Sequence, residues 1–289
     1  MKKCLICLEK FNSLNWQCPV CQNSPKFIDG YPIFSPESLT AEAGFEAEYF
    51  AQLACLEKSN FWFCSRNRLI LMEIKRYFSQ SGNFLEIGCG TGFVLSAIEK
   101  TFPHFSLYGS DIFIEGLKFA KQRLQKVTLL QMDVQRIPFE DEFDVIGVFD
   151  MLEHVKEDTL VLSELHRALH KGGGIILTVP QHHFLWSQFD EAWRHLRRYS
   201  TSELVAKVKS AGFKIIKITS FVTLLFPFML WSRLTDRQVD KSNVMMVSLN
   251  FNPFVNAFFG KILDFERALI RLGASFPFGG SLLLIAYKT

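Results

Sequence analysis

An acid followed by three alternating glycines is the segment of this chain best suited to hold a small molecule. Glu86 closes a short apolar run that starts at Phe84, and Gly88, Gly90 and Gly92 follow directly. A helical pattern begins next, so the segment predicts a strand, a glycine-rich turn and a helix. Glycines let the backbone approach a ligand closely, and a helix N-terminus presents free N–H groups to an anion. The turn is therefore predicted to bind a nucleotide-like cofactor.

The spacing of the glycines distinguishes between classes of cofactor. A dinucleotide-binding fold uses G-x-G-x-x-G, whereas this turn reads G-x-G-x-G with an acid at the end of the strand. A carboxylate at Glu86 would repel a pyrophosphate, but it could accept a hydrogen bond from a ligand that carries an ammonium group. A glycine-rich turn without a ligand is the alternative.

Three more acids follow predicted strands in the same way. Asp111 ends the second strand, Asp133 follows the third and Asp150 follows the fourth. Ligands of open α/β sheets bind outside the carboxyl ends of the strands, where an acid at the second strand can hold both hydroxyls of a ribose. We expect these acids to contribute to the cofactor site. Three apolar neighbours complete the predicted site: Ile112, Val134 and Phe149.

The segment after the fourth strand could carry the chemistry. If a helix begins there, Asp150, Glu153 and His154 are at positions i, i+3 and i+4 and share one face. His154 is then the candidate general base for a hydroxyl substrate. A divalent-metal site formed by the three side chains is a second interpretation, and capping or orientation of a helix is a third.

A second polar cluster follows the fifth predicted strand, where a substrate would be recognised. Its candidate substrate residues are His183, Trp186, Asp190, His195, Arg197, Arg198 and Tyr199. The alternation predicts that His195 and Arg197 face one way and Arg198 the other. An arginine of this cluster could pair with an acidic group of the substrate or cofactor. Salt bridges at the start of a surface helix are the alternative.

Two C-x-x-C pairs near the N-terminus have the spacing of a metal site. Cys4 and Cys7 form the first pair, and Cys18 and Cys21 form the second. Four thiolates leave no open coordination position, so we expect a structural Zn²⁺ ion. Within about 30 residues no hydrophobic core forms alone, so the metal would supply most of the folding free energy. Two disulfides or four free thiols are the alternatives.

The remaining sequence alternates strand and helix patterns. Predicted strands cover residues 84–87, 106–110, 127–131, 143–149, 175–179, 213–218 and 281–287. Predicted helices cover residues 113–124, 160–169, 200–211 and 256–272, and the glycines at 172–174 are expected to stop the second of these.

The motif E-x-G-x-G-x-G at Glu86, the acids Asp111 and Asp133, and the run FDVIGVFDMLEHV resemble the class I S-adenosylmethionine-dependent methyltransferases, in particular the ubiquinone-pathway O-methyltransferases. The resemblance covers roughly residues 60–220 and 280–289. It implies an α/β fold with a seven-stranded Rossmann-like sheet whose last strand is antiparallel. It also implies S-adenosylmethionine as the methyl donor, with Asp133 beside the adenine amino group, and a small or lipid-linked acceptor methylated at oxygen.

The resemblance extends to three further features. The related O-methyltransferases have E-x-x-E-H as a divalent-metal pattern, but here the shorter Asp150 takes the first position, which disfavours Mg²⁺. The aromatic residues 61–63 followed by Arg66 resemble the family's lid helix, so Arg66 is a predicted donor-binding residue. Core packing of these aromatics is the alternative. The N-terminal cysteine module resembles a rubredoxin-like zinc ribbon.

The composition of the chain limits the classes of molecule that it is expected to bind. Over 289 residues the formal charge is only +3, which gives no strong nucleic-acid signal. Two other functions are alternatives to methylation of a small or lipid-linked acceptor. The first is an RNA methyltransferase guided by the ribbon, against which the near-neutral charge argues. The second is a donor-binding scaffold without turnover. The first residues do not resemble a signal peptide, so a cytoplasmic location is expected.

These patterns divide the chain into a zinc ribbon (1–35), a linker and helical lid (36–80), a donor-binding domain (81–220 with 280–289) and an apolar helical insertion (221–279). The first apolar run of the insertion is too short to span a bilayer. It would suit a lipophilic acceptor or peripheral contact with the inner face of a membrane. A helical hairpin that packs on the main domain or on a second copy of the chain, as in a homodimer, is the alternative.

Overall fold

The computed structural model of this chain describes residues 1–13, 15–35, 47–80, 82–234 and 251–289. Two parts of the predicted domains lie outside the described residues. They are residues 36–46 of the linker and lid, and residues 235–250 of the insertion.

Strands and helices alternate over most of the described chain. The strands are β1 (Lys2–Lys3), β2 (Lys10–Phe11), β3 (Lys26–Ile28), β4 (Tyr31–Ile33), β5 (Asn83–Ile87), β6 (Ser106–Asp111), β7 (Val127–Gln131), β8 (Phe143–Phe149), β9 (Leu169–Pro180), β10 (Phe213–Phe221) and β11 (Ser281–Lys288). The α-helices are α1 (Ala47–Leu56), α2 (Phe61–Tyr77), α3 (Phe93–Thr101), α4 (Ile114–Arg123), α5 (Asp158–Ala168), α6 (Gln188–Ala192), α7 (Thr201–Ser210), α8 (Phe226–Leu234) and α9 (Pro253–Arg271). Two short 3₁₀ turns cover Leu152–His154 and His183–Leu185.

One large sheet has the strand order β10-β11-β9-β8-β5-β6-β7-β4-β3. Strands β5 to β9 are parallel to one another, and β11 runs antiparallel to both β9 and β10. This order confirms the predicted Rossmann-like sheet with an antiparallel last strand. The sheet also contains two strands that we did not predict, because β4 joins the free edge of β7 and β3 pairs with β4.

Helices cover both faces of the sheet, which explains why its central strands are almost continuously apolar. Helices α2, α3, α4 and α9 pack with one apolar cluster, and α5 and α7 pack with the other. In β8, Val145 belongs to the first cluster and Ile146 to the second, as the alternation of side chains along a strand requires. This double cover leaves the carboxyl ends of the parallel strands as the edge where a ligand can bind.

We predicted that the glycines at 172–174 stop a helix, but they do not. Helix α5 already ends at Ala168, and the glycines lie inside the longer strand β9. The pairing register of β9 with β8 shifts there, between Phe143 and Val145. Gly172 has a φ of +80°, and a Cβ on Gly173 would lie 2.9 Å from the Asp144 carbonyl oxygen. The glycines therefore form a bulge where two backbones approach closely.

The described part of the predicted insertion consists of α8 and α9, and α9 packs against α2. The Asn256 Oδ1 atom accepts a hydrogen bond from the Phe61 backbone N–H at 2.7 Å, and Arg68 Nε lies 2.9 Å from Asp264 Oδ1. None of the helices that the structure describes is both long and apolar enough to cross a bilayer.

Candidate functional site

The glycine-rich turn lies between β5 and α3 and leaves open space over its middle glycine. Gly88, Gly90 and Gly92 all have positive φ, at +69°, +49° and +73°. A Cβ on Gly90 would have no described atom within 4 Å, whereas a Cβ on Gly88 would lie 2.5 Å from Met151 Cγ. The turn therefore offers its backbone to a ligand over Gly90 and packs tightly on the segment after β8 at Gly88.

Glu86 is a buried acid with an unused oxygen directly below this turn. It accepts a hydrogen bond from the Leu95 backbone N–H, but its Oε2 atom has no hydrogen-bond partner among the described residues. Burial raises the pKa of the carboxyl group to about 8, although the nearby Arg66 guanidinium opposes the rise. A buried polar atom without a partner is uncommon and costly. Glu86 is thus suited to a ligand that brings a hydrogen-bond donor or a positive charge.

Asp111 and Asp133 lie at the same edge of the sheet, as predicted. Asp111 accepts hydrogen bonds from the backbone N–H groups of Gly90 at 2.8 Å and Phe113 at 2.9 Å, and burial raises the pKa of its carboxyl group to about 6. Asp133 accepts a hydrogen bond from the Gln135 backbone N–H at 2.9 Å. The predicted apolar neighbours also lie at this edge: Ile112 is half-buried, and Val134 and Phe149 are buried.

Arg66 on α2 reaches across the sheet edge to Asp150. The two side chains form an ion pair, and Thr178 Oγ1 donates a hydrogen bond to Asp150 Oδ2 at 2.9 Å. The Arg66 guanidinium also lies over the Trp62 ring, 4.6 Å from its centroid. The structure therefore brings together the two residues predicted from the lid helix and from the end of β8.

The predicted helical face with Asp150, Glu153 and His154 does not form. Asp150 has a φ of +52°, and only a 3₁₀ turn follows it. The Asp150 carboxylate is instead bound by Arg66 and Thr178. The three side chains of the D-x-x-E-H pattern therefore do not assemble as one set of metal ligands.

A polar contact that was not predicted ties the residue after α1 to the glycine turn. Thr91 Oγ1 lies 2.8 Å from both carboxylate oxygens of Glu57, which also forms an ion pair with Arg123. Arg123 donates a further hydrogen bond to the Ala54 carbonyl oxygen at 3.3 Å. Because these residues are far apart in the chain, no local pattern indicates the contact.

Part of the predicted substrate cluster forms a buried network on the other side of Asp150. His195 Nδ1 and Arg198 Nε each lie 2.8 Å from Asp190 Oδ1, and Arg198 Nη1 donates to the Gln181 carbonyl oxygen at 3.2 Å. His195 and Arg198 therefore converge on one carboxylate. The predicted alternation, which placed Arg198 on the side opposite His195, was wrong because both side chains bind Asp190.

The other predicted substrate residues do not join this network. Arg197 and Tyr199 both bind Asp158, at 3.0 and 2.9 Å. His183 pairs with Glu203 at 3.2 Å and is largely exposed, as is Trp186. The contacts of Arg197 and Tyr199 with Asp158 are therefore structural.

Glu153 and His154 lie beside the His195 ring. Glu153 is fully buried, and neither of its oxygens has a hydrogen-bond partner in the described part of the chain. Burial raises the pKa of its carboxyl group well above the usual range, and the nearby Asp150 adds to the rise. Burial and the neighbouring His195 lower the pKa of His154 to about 3. One carboxylate oxygen of Glu153 and one ring nitrogen from each of His154 and His195 lie within 4.8 Å of one another.

The four N-terminal cysteines converge as the zinc prediction requires. Their Sγ atoms all lie within 4.8 Å of one another, and the pairs Cys4–Cys21 and Cys7–Cys18 are each 3.5 Å apart. Zn–S bonds of about 2.3 Å in a tetrahedron place the sulfurs about 3.8 Å apart. All four are free thiols, so the disulfide alternative is not what the structure shows.

The cysteine module is connected to the donor side of the sheet through Gln131. The Phe34 backbone N–H donates to the Gln131 carbonyl oxygen at 2.9 Å, and the Ser35 N–H donates to Gln131 Oε1 at 3.1 Å. Gln131 Nε2 in turn donates to the Ile112 carbonyl oxygen at 3.0 Å. Ile112 directly follows Asp111, so the Gln131 side chain links the module to the predicted ribose-binding loop.

An apolar face of α9 is exposed. Phe254, Phe258, Phe265 and Leu272 are all solvent-exposed, and their spacing places them along one side of the helix. Lys261 is the exposed charged residue within this row. On α8, Phe228 and Trp231 add to the exposed apolar surface. Exposed apolar side chains in such a row are a candidate contact surface.

Comparisons with known proteins agree with this geometry. A family model described as a methyltransferase domain matches residues 85–177. The chain is 30% identical to the uncharacterized protein MJ1123 of Methanocaldococcus jannaschii, over 57% of this chain and 82% of that protein. It is also 30% identical to phthiotriol/phenolphthiotriol dimycocerosates methyltransferase 1 of Mycobacterium ulcerans, over 43% of this chain but only 48% of that enzyme.

A solved structure has the same fold. It is the complex between the Haloferax volcanii Trm112 methyltransferase activator and a methyltransferase, with a TM-score of 0.53 and 16% identity over 83% of this chain and 97% of that one.

Proposed function

We propose that this chain, which belongs to the class I S-adenosylmethionine-dependent methyltransferases, transfers a methyl group to an oxygen atom of a small or lipid-linked acceptor. The observation that carries the donor site is the unpartnered Oε2 atom of Glu86, at the end of β5, together with the open space over Gly90 in the turn that follows. When bound, S-adenosylmethionine supplies an electrophilic methyl group on a positively charged sulfur. Glu86 would bind its cationic end, and Asp111 and Asp133 its ribose and adenine.

The exposed apolar face of α9 supports a lipophilic acceptor. This helix also packs on α2, the helix that carries Arg66, so it lies close to the donor site. The Mycobacterium ulcerans relative is named for methylating dimycocerosates. An acceptor with an apolar tail would contact surface that is otherwise left in water.

Incubation with methyl-labelled donor and fractionated cell extract tests the proposal. We expect the label to enter the lipid or small-molecule fraction and to be released under conditions that cleave a methyl ether or ester. Label in the RNA fraction would instead support an RNA methyltransferase guided by the ribbon. A protein that binds the donor but labels no fraction would support a scaffold without turnover.

Donor binding should release a proton from Glu86. Because the pKa of this carboxyl group is about 8 in the donor-free protein, it is mostly protonated at pH 7 and must ionise to bind a cation. Affinity should therefore rise with pH, by roughly tenfold between pH 6 and pH 7. Calorimetry at pH 7 in buffers of different ionisation enthalpy measures the release, which we expect to be close to one proton per donor.

Glu86→Gln is the matched control for this prediction. The variant should bind the donor more weakly. It should release only the small fraction of a proton that comes from Asp111, the other acid of the site with a raised pKa. Equal proton release by the variant and the native chain would show that Glu86 does not titrate on binding.

The exposed face of α9 should bind anionic membranes. We expect the protein to pellet with vesicles of phosphatidylcholine and phosphatidylglycerol, because the row of Phe and Leu side chains carries Lys261 and no exposed acid. The double substitution Phe254→Ser and Phe258→Ser should weaken this partition by about 100-fold or more, since burial of each Phe contributes roughly 1.5–3 kcal/mol.

Leu160→Ser provides the control for membrane binding, because Leu160 is exposed on α5 at the opposite face of the sheet. It should pellet like the native protein. If the native protein stays in the supernatant and sediments as a dimer, the α9 face is a homodimer contact and the membrane proposal is wrong.

We also propose that Cys4, Cys7, Cys18 and Cys21 bind a structural Zn²⁺ ion. The convergence of their sulfur atoms supports this proposal. Four thiolates would complete the coordination shell, so the ion would take no part in methyl transfer.

A further inference from the structure

We propose that His195 is the base that removes the acceptor proton, with Asp190 and Arg198 as positioning residues and Glu153 as the group that stabilises the protonated ring. This inference rests on the proposed function, because it assigns the proton transfer that O-methylation requires. It replaces His154 as the candidate base.

The first support is the orientation of the His195 ring. Asp190 is fully buried, and although burial alone raises the pKa of its carboxyl group, the hydrogen bond from His195 and the charge of Arg198 hold it below the usual range. An ionised carboxylate only accepts hydrogen bonds, so the 2.8 Å contact requires the proton on His195 Nδ1. The lone pair is then on Nε2, where a base accepts its proton.

The second support is the pair of unused oxygens on Glu153. Its carboxyl group is fully buried without a partner in the described chain, and Oε1 lies 3.9 Å from His195 Nε2. Leaving a buried carboxyl group unpaired costs free energy. Uptake of a proton at Nε2 would create an N–H group facing Glu153, so this site gains its missing hydrogen-bond donor when the reaction delivers a proton.

The third support is the position of the network. The Leu196 backbone N–H donates to the Glu153 carbonyl oxygen at 2.9 Å, which fixes the His195 segment on the 3₁₀ turn after β8. Asp150 lies two residues before this turn and pairs with Arg66 of the donor side. The His195 side chain keeps a small exposed fraction, 9%, whereas Glu153 and Asp190 have none. His195 therefore keeps more exposed side-chain surface than Glu153, Asp190 or Arg198.

The neighbouring His154 is a poorer base. Its ring is 5.0 Å from the His195 ring, and burial lowers its pKa to about 3. An imidazole whose conjugate acid is that strong takes up a proton only weakly near neutral pH. Unlike His195, it has no carboxylate partner among the described hydrogen bonds.

The proposed step transfers one proton and one methyl group. The O–H bond of the acceptor breaks and its proton moves to His195 Nε2, while the oxygen electron pair forms a bond to the methyl carbon of S-adenosylmethionine. The bond between this carbon and the sulfonium sulfur breaks, and its electron pair stays on the sulfur as a neutral thioether. His195 becomes an imidazolium between the Asp190 and Glu153 carboxyl groups, and it later returns the proton to solvent.

The test compares His195→Gln with His104→Gln, since His104 is an exposed histidine bonded only to the Ser79 carbonyl oxygen in the described structure. The assay uses labelled donor and the cell-extract fraction that accepts label. We expect His195→Gln to lower kcat by about 100-fold or more, with unchanged donor affinity by calorimetry. His104→Gln should behave as the native protein. Retention of kcat within threefold in His195→Gln, or loss of its donor binding, would overturn the proposal.

Nuclear magnetic resonance of the histidine rings supplies a readout that does not depend on turnover. In the native protein we expect the His195 proton on Nδ1, and in Asp190→Asn a change of tautomer, because an amide can also donate. Four titratable groups surround the ring: Asp190, Arg198, Glu153 and His154. A native proton on Nε2 would contradict the inference. A native protein that fails to bind the donor at all would overturn the proposed function as well.

Discussion

Gly88→Ala should weaken binding of S-adenosylmethionine by at least roughly 30-fold. Gly88 has a φ of +69°, and its added Cβ would lie 2.5 Å from Met151 Cγ and 3.0 Å from Met151 Cβ. The left-handed backbone costs an alanine about 1–2 kcal/mol, and the overlap costs about 1–3 kcal/mol more. The turn can relieve both only by moving away from Met151, which displaces the backbone next to Glu86. Calorimetric titration with the donor measures the effect.

Gly172→Ala separates the strain of the backbone from the overlap. Gly172 also has a positive φ, +80°, but a Cβ there would meet no described atom within 4 Å, and the residue lies at the bulge of β9. This variant should lose about 1 kcal/mol of stability and bind the donor normally. If Gly88→Ala binds the donor as tightly as Gly172→Ala does, the turn is not the donor site.

The sequence predicted the central strands well because their signals are local. A buried parallel strand reads as an apolar run, and β8 was predicted with its observed bounds. The addition of β3 and β4 to the sheet was not predictable in the same way. It depends on the pairing of Ile33 with Gln131, a contact between distant segments that leaves no periodic pattern in either.

The same distinction applies to the candidate site. Glu86, Asp111 and Asp133 were predicted because each acid lies within two residues of the carboxyl end of a strand, and these ends meet at one edge of a parallel sheet. The Glu57–Thr91 contact and the convergence of His195 and Arg198 on Asp190 were not. These arrangements depend on the conformation of irregular segments, which alternation rules for extended chains do not describe.

Metal removal should affect the donor site as well as the N-terminal module. The double substitution Cys4→Ser and Cys7→Ser removes two of four converging sulfur atoms, so the module should lose the Zn²⁺ that we propose it binds and should unfold. Unfolding would release β4 from β7 and break the hydrogen bonds that Phe34 and Ser35 make with Gln131. We expect zinc content to fall to background, Tm to drop by several degrees, and donor affinity to fall by roughly three- to tenfold.

The loss of donor affinity has a specific physical route, which a second variant isolates. Gln131 Nε2 holds the Ile112 carbonyl oxygen at 3.0 Å, next to Asp111. Gln131→Met keeps the length of the side chain but removes both of its hydrogen bonds, so it should weaken donor binding while zinc content stays normal. Cys55→Ser, which replaces an exposed cysteine outside the cluster, should change neither quantity. Native donor affinity in a zinc-free double variant would show that the module stabilises its own fold without supporting the donor site.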